Sequence, residues 1–241
     1  MDITLRTITS DLLDIIRGSN ISASETISIR QLEDWVHQYR ALLLKQDLDK
    51  GKKPNPDYIQ EVGNIKLEKV DLSGSDVTSL GVESGSFLYR TVLELPNTID
   101  LNFKSGFTYI GTPPGDEIQL VPEGRSRWQK YKKYTSTDKI AFLRNKHMYI
   151  VNSEALQFIT VRGVWENPAE VGRFVNPITD QPYFNLDSKY PIPANMLPVL
   201  KEMIVQKELK IESTAPTDTT NDDRSNPTYP SQPVRKFEIS R

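Results

Sequence analysis

The sequence predicts an α+β fold: a helical bundle drawn from N-terminal and C-terminal helices, an inserted β-rich, mostly antiparallel module, and an extended C-terminal arm. Three observations carry this expectation. Apolar residues recur at helical spacing through Leu43 and again from about Ala194. Between Ile65 and Val164 they fall instead into short β-prone runs separated by turn clusters. Beyond Ile211 the composition shifts abruptly to Ser, Thr, Pro, Asp and Asn. The parts expected are therefore 1–64, an N-terminal helical part; 65–166, the β-rich module; 167–211, a helical part completing the bundle; and 212–241, the arm.

Taken in order, Leu5, Ile8, Leu12, Ile15 and Ile16 mark a short amphipathic helix closed by Gly18. Ser28 caps a second helix, with Gln31 three residues later in capping-box position. Its stripe is Ile29, Leu32, Val36, Tyr39 and Leu43. It stops near Asp49-Lys50-Gly51, because Lys52-Lys53-Pro54-Asn55-Pro56 combines turn residues with the pre-proline restriction. The β-prone runs are Ile65 to Val70, Phe87 to Leu95, Phe107 to Ile110, Ile140 to Leu143, Met148 to Val151 and Leu156 to Val164. Ser73-Gly74-Ser75-Asp76 and Gly111-Thr112-Pro113-Pro114-Gly115-Asp116 are turns between them. Asn145-Lys146 predicts a tight hairpin, since asparagine tolerates positive φ. Asn167-Pro168-Ala169-Glu170 supplies an N-cap, a proline at the first helical position and a glutamate at N3, so a short helix is expected there. The last helix is expected from about Ala194 to Leu209, with Leu197, Leu200 and Ile204 on its stripe.

Composition bounds the function. Only 37% of the 241 residues are apolar, low for a unit that stabilises itself unaided, so part of the chain is expected to lean on neighbours. The balance of 30 basic against 32 acidic residues lacks the basic excess of a dedicated nucleic-acid binder. The chain has no cysteine, which excludes disulfide staples, thiol catalysis and thiolate metal sites. Its start has no basic and apolar leader pattern, and no apolar run of about eighteen residues occurs. The expectation is a soluble protein made in the cytoplasm, without membrane contact.

Catalytic chemistry is equally sparse. The two histidines, His37 and His147, lie in different regions and read as bystanders. Gly111 and Gly115 lack the G-x-x-x-x-G-K-[ST] pattern of a phosphate loop, and Pro113 and Pro114 remove amide donors. Asn221-Asp222-Asp223 lacks the glycine and closing glutamate of a calcium loop. No catalytic, cofactor-binding or metal-ligating residue is assigned, no cofactor is expected, and the chain is expected not to be an enzyme.

The most suggestive polar stretch is Arg125, Arg127, Trp128, Lys130, Tyr131, Lys132, Lys133 and Tyr134. Basic residues interleaved with aromatics serve single-strand binding, and they also build protein interfaces. The neutral whole chain favours an intersubunit contact over nucleic acid, while a plain solvated loop stands level with it. In the arm, Val234, Phe237 and Ile239 offer spaced apolar anchors, and the near alternation of Val234-Arg235-Lys236-Phe237-Glu238-Ile239 suits addition to a neighbour's sheet edge. The candidate intersubunit contacts are thus Arg125, Arg127, Trp128, Tyr131, Tyr134, Val234, Phe237 and Ile239.

Three stretches together resemble virion proteins of crAss-like bacteriophages. The first joins Leu32-Glu33-Asp34-Trp35-Val36 and Arg40-Ala41-Leu42-Leu43-Leu44 through Tyr58-Ile59-Gln60 to Ile65-Lys66-Leu67-Glu68-Lys69-Val70-Asp71. The second is Arg90-Thr91, Leu95-Pro96 and Phe107-Thr108-Tyr109-Ile110-Gly111-Thr112. The third runs from Lys133-Tyr134-Thr135 through Val164-Trp165-Glu166-Asn167-Pro168 to Leu209 and Asn221-Asp222. The resemblance implies a tail-barrel ring protein of the portal-proximal, head-to-tail adaptor type, located in the virion. It implies a cyclic homo-oligomer of twelve copies, with the portal and other tail ring proteins as partners. Genomic DNA would pass through the channel without sequence specificity. The family has no catalytic residues to carry over. The competing reading is a monomeric β-rich binding module for glycan or nucleic acid, which mass in solution separates from a ring; a carboxylate-based hydrolase ranks third.

Overall fold

The computed structural model describes residues 3–18, 27–70, 88–102, 105–153 and 156–209. The turn expected at Ser73-Gly74-Ser75-Asp76 and the arm 212–241 lie outside the described residues. Helix α1 spans Leu5–Gly18 and starts where the Thr4 hydroxyl accepts the Thr7 amide at 3.1 Å. Leu5, Ile8 and Leu12 are fully buried along it, whereas Ile15 turns 43% of its surface to solvent and leaves the expected stripe.

Helix α2 spans Ile29–Asp49, with Ser28 accepting the Gln31 amide at 3.1 Å as its cap. Gly51, at φ +79°, follows its end and donates back to the Leu48 carbonyl. The buried face carries Leu32, Val36, Arg40, Leu44 and Leu48, a four-residue period, with His37 beside it. Ile29 stays exposed, and Tyr39 and Leu43 are only partly buried. The stripe read from apolar residues alone is thus rotated, because an arginine occupies its centre.

Seven strands follow: β1 (Gln60–Lys69), β2 (Leu88–Thr91), β3 (Phe107–Gly111), β4 (Gln119–Leu120), β5 (Ile140–Arg144), β6 (His147–Val151) and β7 (Phe158–Gly163). They form one sheet in the order β3-β7-β1-β2-β6-β5-β4, antiparallel except for the β4 and β5 pair. β1 begins at Gln60, five residues before the run read from sequence. It pairs with β7 through its first part and with β2 through Leu67–Lys69. A bulge between Val62 and Ile65 holds Asn64 at φ 52°. The β5–β6 hairpin turns on Asn145 and Lys146, both at positive φ (50° and 62°), as a type I′ turn requires.

Although β3 and β4 end the strand order, Ile118 donates to the Ile110 carbonyl at 2.7 Å and Gly111 bridges Glu117. The sheet therefore curls until its two edges meet at the turn 112–116. A side chain at Gly111 would put its Cβ 2.8 Å from the Asp116 carbonyl, so this closure needs glycine.

After β7 the chain makes a 3₁₀ segment, Pro168–Arg173, where a short helix was expected; Asn167 caps it by accepting the Ala169 amide at 2.9 Å. A small hairpin, β8 (Val175–Asn176) with β9 (Gln181–Pro182), follows. The four-residue helix α3 (Glu123–Ser126) lies between β4 and β5. Helix α4 covers Leu197–Ile204, entered through a 3₁₀ turn at Ala194–Met196 and continued by a π segment, Val205–Leu209. The fold is a mixed α and β architecture built on a large, mostly antiparallel sheet.

The core explains how these parts hold together. Leu5, Ile8 and Leu12 of α1, Val36 of α2 and Leu200 and Ile204 of α4 share one apolar cluster with Val62, Ile65, Ile110, Ile150, Ile159 and Val161 of the sheet. Alternation on β5 and β6 sends Ala141, Met148 and Ile150 to that cluster and Ile140, Phe142, Tyr149 and Val151 to the opposite face. There Phe142 and Tyr149 stack with ring centroids 5.2 Å apart. A third cluster, Leu44, Leu48, Tyr58, Ile99 and Val164, seats the end of α2 on the segment before β3.

Candidate intersubunit surface

The segment from α3 to β5 carries six basic and two acidic residues between Pro122 and Lys139, in a chain of net charge −2. Its order comes from polar clamps rather than from an apolar core. Gln129 is buried, and its side-chain amide donates to the Thr135 carbonyl. Ser126 donates to the Glu123 carbonyl at 2.7 Å, holding α3 closed. From β6, the side-chain amide of Asn152 donates to the carbonyls of Ser136 (2.8 Å) and Asp138 (3.1 Å). Arg144 of β5 lies 3.5 Å from the Glu123 carboxylate.

Those clamps leave the large side chains outside. Trp128 is 66% exposed, Tyr131 69% and Tyr134 85%. Trp128 and Tyr131 sit 5.7 Å apart between ring centroids, and the Lys133 ammonium lies 5.3 Å from the centre of the Tyr134 ring. Arg125 and Arg127 are exposed in the same lobe. Five of the sequence-derived contact residues, Arg125, Arg127, Trp128, Tyr131 and Tyr134, are therefore exposed along this one segment, and of them the structure pairs Trp128 with Tyr131. Val234, Phe237 and Ile239 lie outside the described residues.

Two further features escaped the sequence reading. Ile178, between β8 and β9, is 86% exposed, and Val175 beside it is also exposed. The only signal was an isoleucine in a turn-prone stretch, Asn176-Pro177-Ile178-Thr179-Asp180. The second is a groove of about 410 Å³ between the two sheet edges. The pairing of Gly111 with Glu117 would, if continued, set Phe107 opposite Val121. Instead Gln119 and Leu120 pair parallel with Ile140 and Ala141 of β5, and β4 peels away from β3. Ile99, Leu101, Phe107, Leu120, Val121 and Leu143 line the gap.

Buried polar chemistry is concentrated elsewhere, under α2. Arg40 is fully buried and donates from Nε to the Pro191 carbonyl (2.7 Å) and from NH1 to the Trp165 carbonyl (2.8 Å). Burial pulls its pKa down to about 10, so it stays charged at neutral pH. His37 Nδ1 lies 2.9 Å from the Tyr190 hydroxyl, and burial, with Arg40 next, lowers its pKa to about 4. Burial pushes the Tyr190 hydroxyl up. A neutral imidazole, a phenol and a guanidinium bonded to carbonyls join helix to loops. They sit inside the wall of the fold, where they tie α2 to the loops around Trp165 and Pro191. Among the described residues no group of three or more His, Cys, Asp or Glu side chains is placed to hold a metal ion, and no helix is long and apolar enough to cross a membrane.

The lobe thus holds in solvent, on ordered backbone, the residue types that dominate binding energy at protein interfaces. Residues 7–227 match the family model described as phage tail ring protein 2, of the crAss type. That span takes in most of the chain, and the chain belongs to this family. It is a structural component of a bacteriophage tail, and the family implies an oligomeric ring assembled with other tail components. Comparison with curated proteins gave no match.

Proposed function

We propose that this chain is a non-enzymatic subunit of the head-to-tail connector, forming a closed ring of twelve copies in the tail barrel below the portal. The ring surrounds the path by which genomic DNA leaves the capsid, touching it without sequence specificity. The observation that carries the reading is the clamped lobe of Trp128, Tyr131 and Tyr134, supported by the family match over residues 7–227. Aromatics and arginines held in solvent are the residue types that dominate binding energy at interfaces, and a heterologous contact closes into a ring when its rotation permits. Helices α1, α2 and α4, read as the bundle of the subunit, pack on one face of the sheet whose strands β5 and β6 hold the lobe. The arm 212–241 is read as an assembly arm to the next subunit or ring, since its composition builds no core of its own.

The test is to image the purified chain, alone and together with the portal, and to measure its mass in solution. The expected result is a closed ring with twelve-fold symmetry that stacks on the portal. A chain that stays monomeric in both preparations overturns the ring, and a ring that does not join the portal overturns the connector placement.

A further inference from the structure

The gap between the sheet edges has the form of a missing strand. β3 and the residues just before β4 meet at Gly111 with Glu117 and Ile110 with Ile118, then the strands part around a groove lined by apolar side chains together with Thr98 and Ser105, whose rim carries two carboxylates, Asp100 and Glu123. The Asp100 side chain is 99% exposed, with Lys45 only at 4.0 Å, while Glu123 is faced by Arg144 at 3.5 Å. The natural occupant of such a gap is an extended chain that alternates apolar and polar residues and carries positive charge.

One segment of this sequence answers that description. Phe237 and Ile239 are two residues apart, so an extended chain sets both on one face, and Arg235, Lys236 and Arg241 accompany them. From residue 210, 24 residues lead to Val234, a reach of up to about 80 Å at about 3.3 Å per residue.

The arm is long enough for its own groove or that of another copy, and α4 starts it on a course away from its own. Met196, just before α4, packs by the Leu44 and Leu48 cluster at the C-terminal end of α2. Lys207 and Glu208, past its other end, meet Tyr39, the first over the ring and the second through the Tyr39 hydroxyl. α4 therefore runs antiparallel to α2. The groove is tied to the opposite end of α2, where Asp49 accepts the Asn102 amide at 3.1 Å. Tyr39 and Asp49 are ten residues apart, about 15 Å along the helix. The described chain thus ends about 15 Å along α2 from its own groove, and donation of the arm to the groove of the next copy around the ring read above is a head-to-tail arrangement.

We propose that the groove between β3 and β4 accepts residues Val234–Ile239 of an adjacent copy, which adds as a strand and closes the sheet. Phe237 and Ile239 enter the apolar floor, Arg235 at the end of the same face extends toward the rim carboxylates of Asp100 and Glu123, and Lys236 turns to the opposite face. This rests on the ring reading above and names the partner of the arm.

Because the chain has no cysteine, site-directed cross-linking tests it cleanly. Ser105→Cys at the groove and Ser240→Cys beside the strand are near-isosteric changes, made together in the full chain and treated with a short bismaleimide. The expected product is a ladder of covalent dimers and larger species on a denaturing gel, absent from either single-cysteine chain and lost when Phe237→Ser and Ile239→Ser are added. A cross-linked monomer overturns the proposal by placing the arm in its own groove. No cross-link in a preparation that imaging shows as rings overturns it too and leaves the ring reading intact. No cross-link in a chain that stays monomeric with the portal overturns both.

Discussion

Arg40 of α2 reaches the carbonyl of Pro191, 151 residues later, with its Nε at 2.7 Å. Its NH1 takes the Trp165 carbonyl as well, so a single side chain ties the helix to the loop after β7 and to the loop before α4. No carboxylate shares this bond set, which makes desolvation the opposing effect. Two charge-assisted hydrogen bonds, at about 1.5 to 3 kcal/mol each, are set against that penalty. Arg40→Met keeps the stem packing but leaves both carbonyls buried without a donor, and is expected to cost about 2 kcal/mol. Arg40→Ala adds a cavity and about 2 kcal/mol more. Urea melts of the two variants check the order; equal losses would mean that the hydrogen bonds, not the stem packing, set the role of Arg40, and a negligible loss in Arg40→Met would mean the reverse.

His37 makes the fold sensitive to acid. Its folded pKa, about 4, lies below the unfolded value of 6.5, chiefly through burial and then through Arg40, with Asp34 opposing. Between those values the unfolded chain binds the extra proton, so this group's contribution is fully present above pH 6.5 and is lost as pH falls toward 4. At about 1.4 kcal/mol per pKa unit the loss reaches about 3 kcal/mol. Urea-unfolding free energies measured from pH 7.5 to 4.5 should fall more steeply for the parent chain than for His37→Gln. Parallel curves would remove His37 as the source.

The β5–β6 turn places Lys146 at φ 62°, a conformation that costs a residue with a Cβ and suits glycine. The backbone carbonyl of Lys146, which accepts the Leu95 amide at 2.8 Å, is kept in any substitution. Lys146→Gly creates the Asn-Gly pair preferred for a two-residue hairpin and is expected to stabilise the chain by about 0.5 kcal/mol, net of the greater freedom of the unfolded glycine. Thermal melting checks the sign.

That turn was legible because its cause is local: Asn145 tolerates positive φ wherever it stands. The Ser28 cap and the stop at Gly51 were legible for the same reason. Arg40 was not, because a rule that counts apolar residues sets a guanidinium outside and thereby rotates the whole face of α2. Ile15 and Ile29 carry the matching error, being apolar but turned to solvent. The parallel β4 and β5 pair and the meeting of β3 with β4 depend on which strands come together in space, which periodicity does not encode. In the lobe, the residue types were visible in the sequence. Their exposure was not, since it follows from side-chain clamps, Gln129 on the Thr135 carbonyl within the lobe and Asn152 of β6 on the Ser136 carbonyl, which residue types alone do not announce.

The last expectation separates assembly from folding at that lobe. Trp128 and Tyr134 make their ring contacts within the lobe itself, with Tyr131 and Lys133, and most of each side chain faces solvent. Truncating either should therefore shift the unfolding free energy by less than about 0.5 kcal/mol, as for exposed sites generally. If the lobe is the subunit contact, the same truncation removes a hot-spot side chain and weakens each interface by about 1 to 2 kcal/mol, a loss repeated at every contact around a ring. Trp128→Ala and Tyr134→Ala should then melt like the parent while the concentration needed to form rings, read by mass in solution, rises at least about fivefold. Gln129→Ala supplies the comparison, because it releases the clamp on Thr135 and should lower both stability and assembly. Alanine variants that assemble like the parent would return the lobe to the status of a solvated loop, whereas variants that melt early would place its aromatics in the fold rather than between subunits.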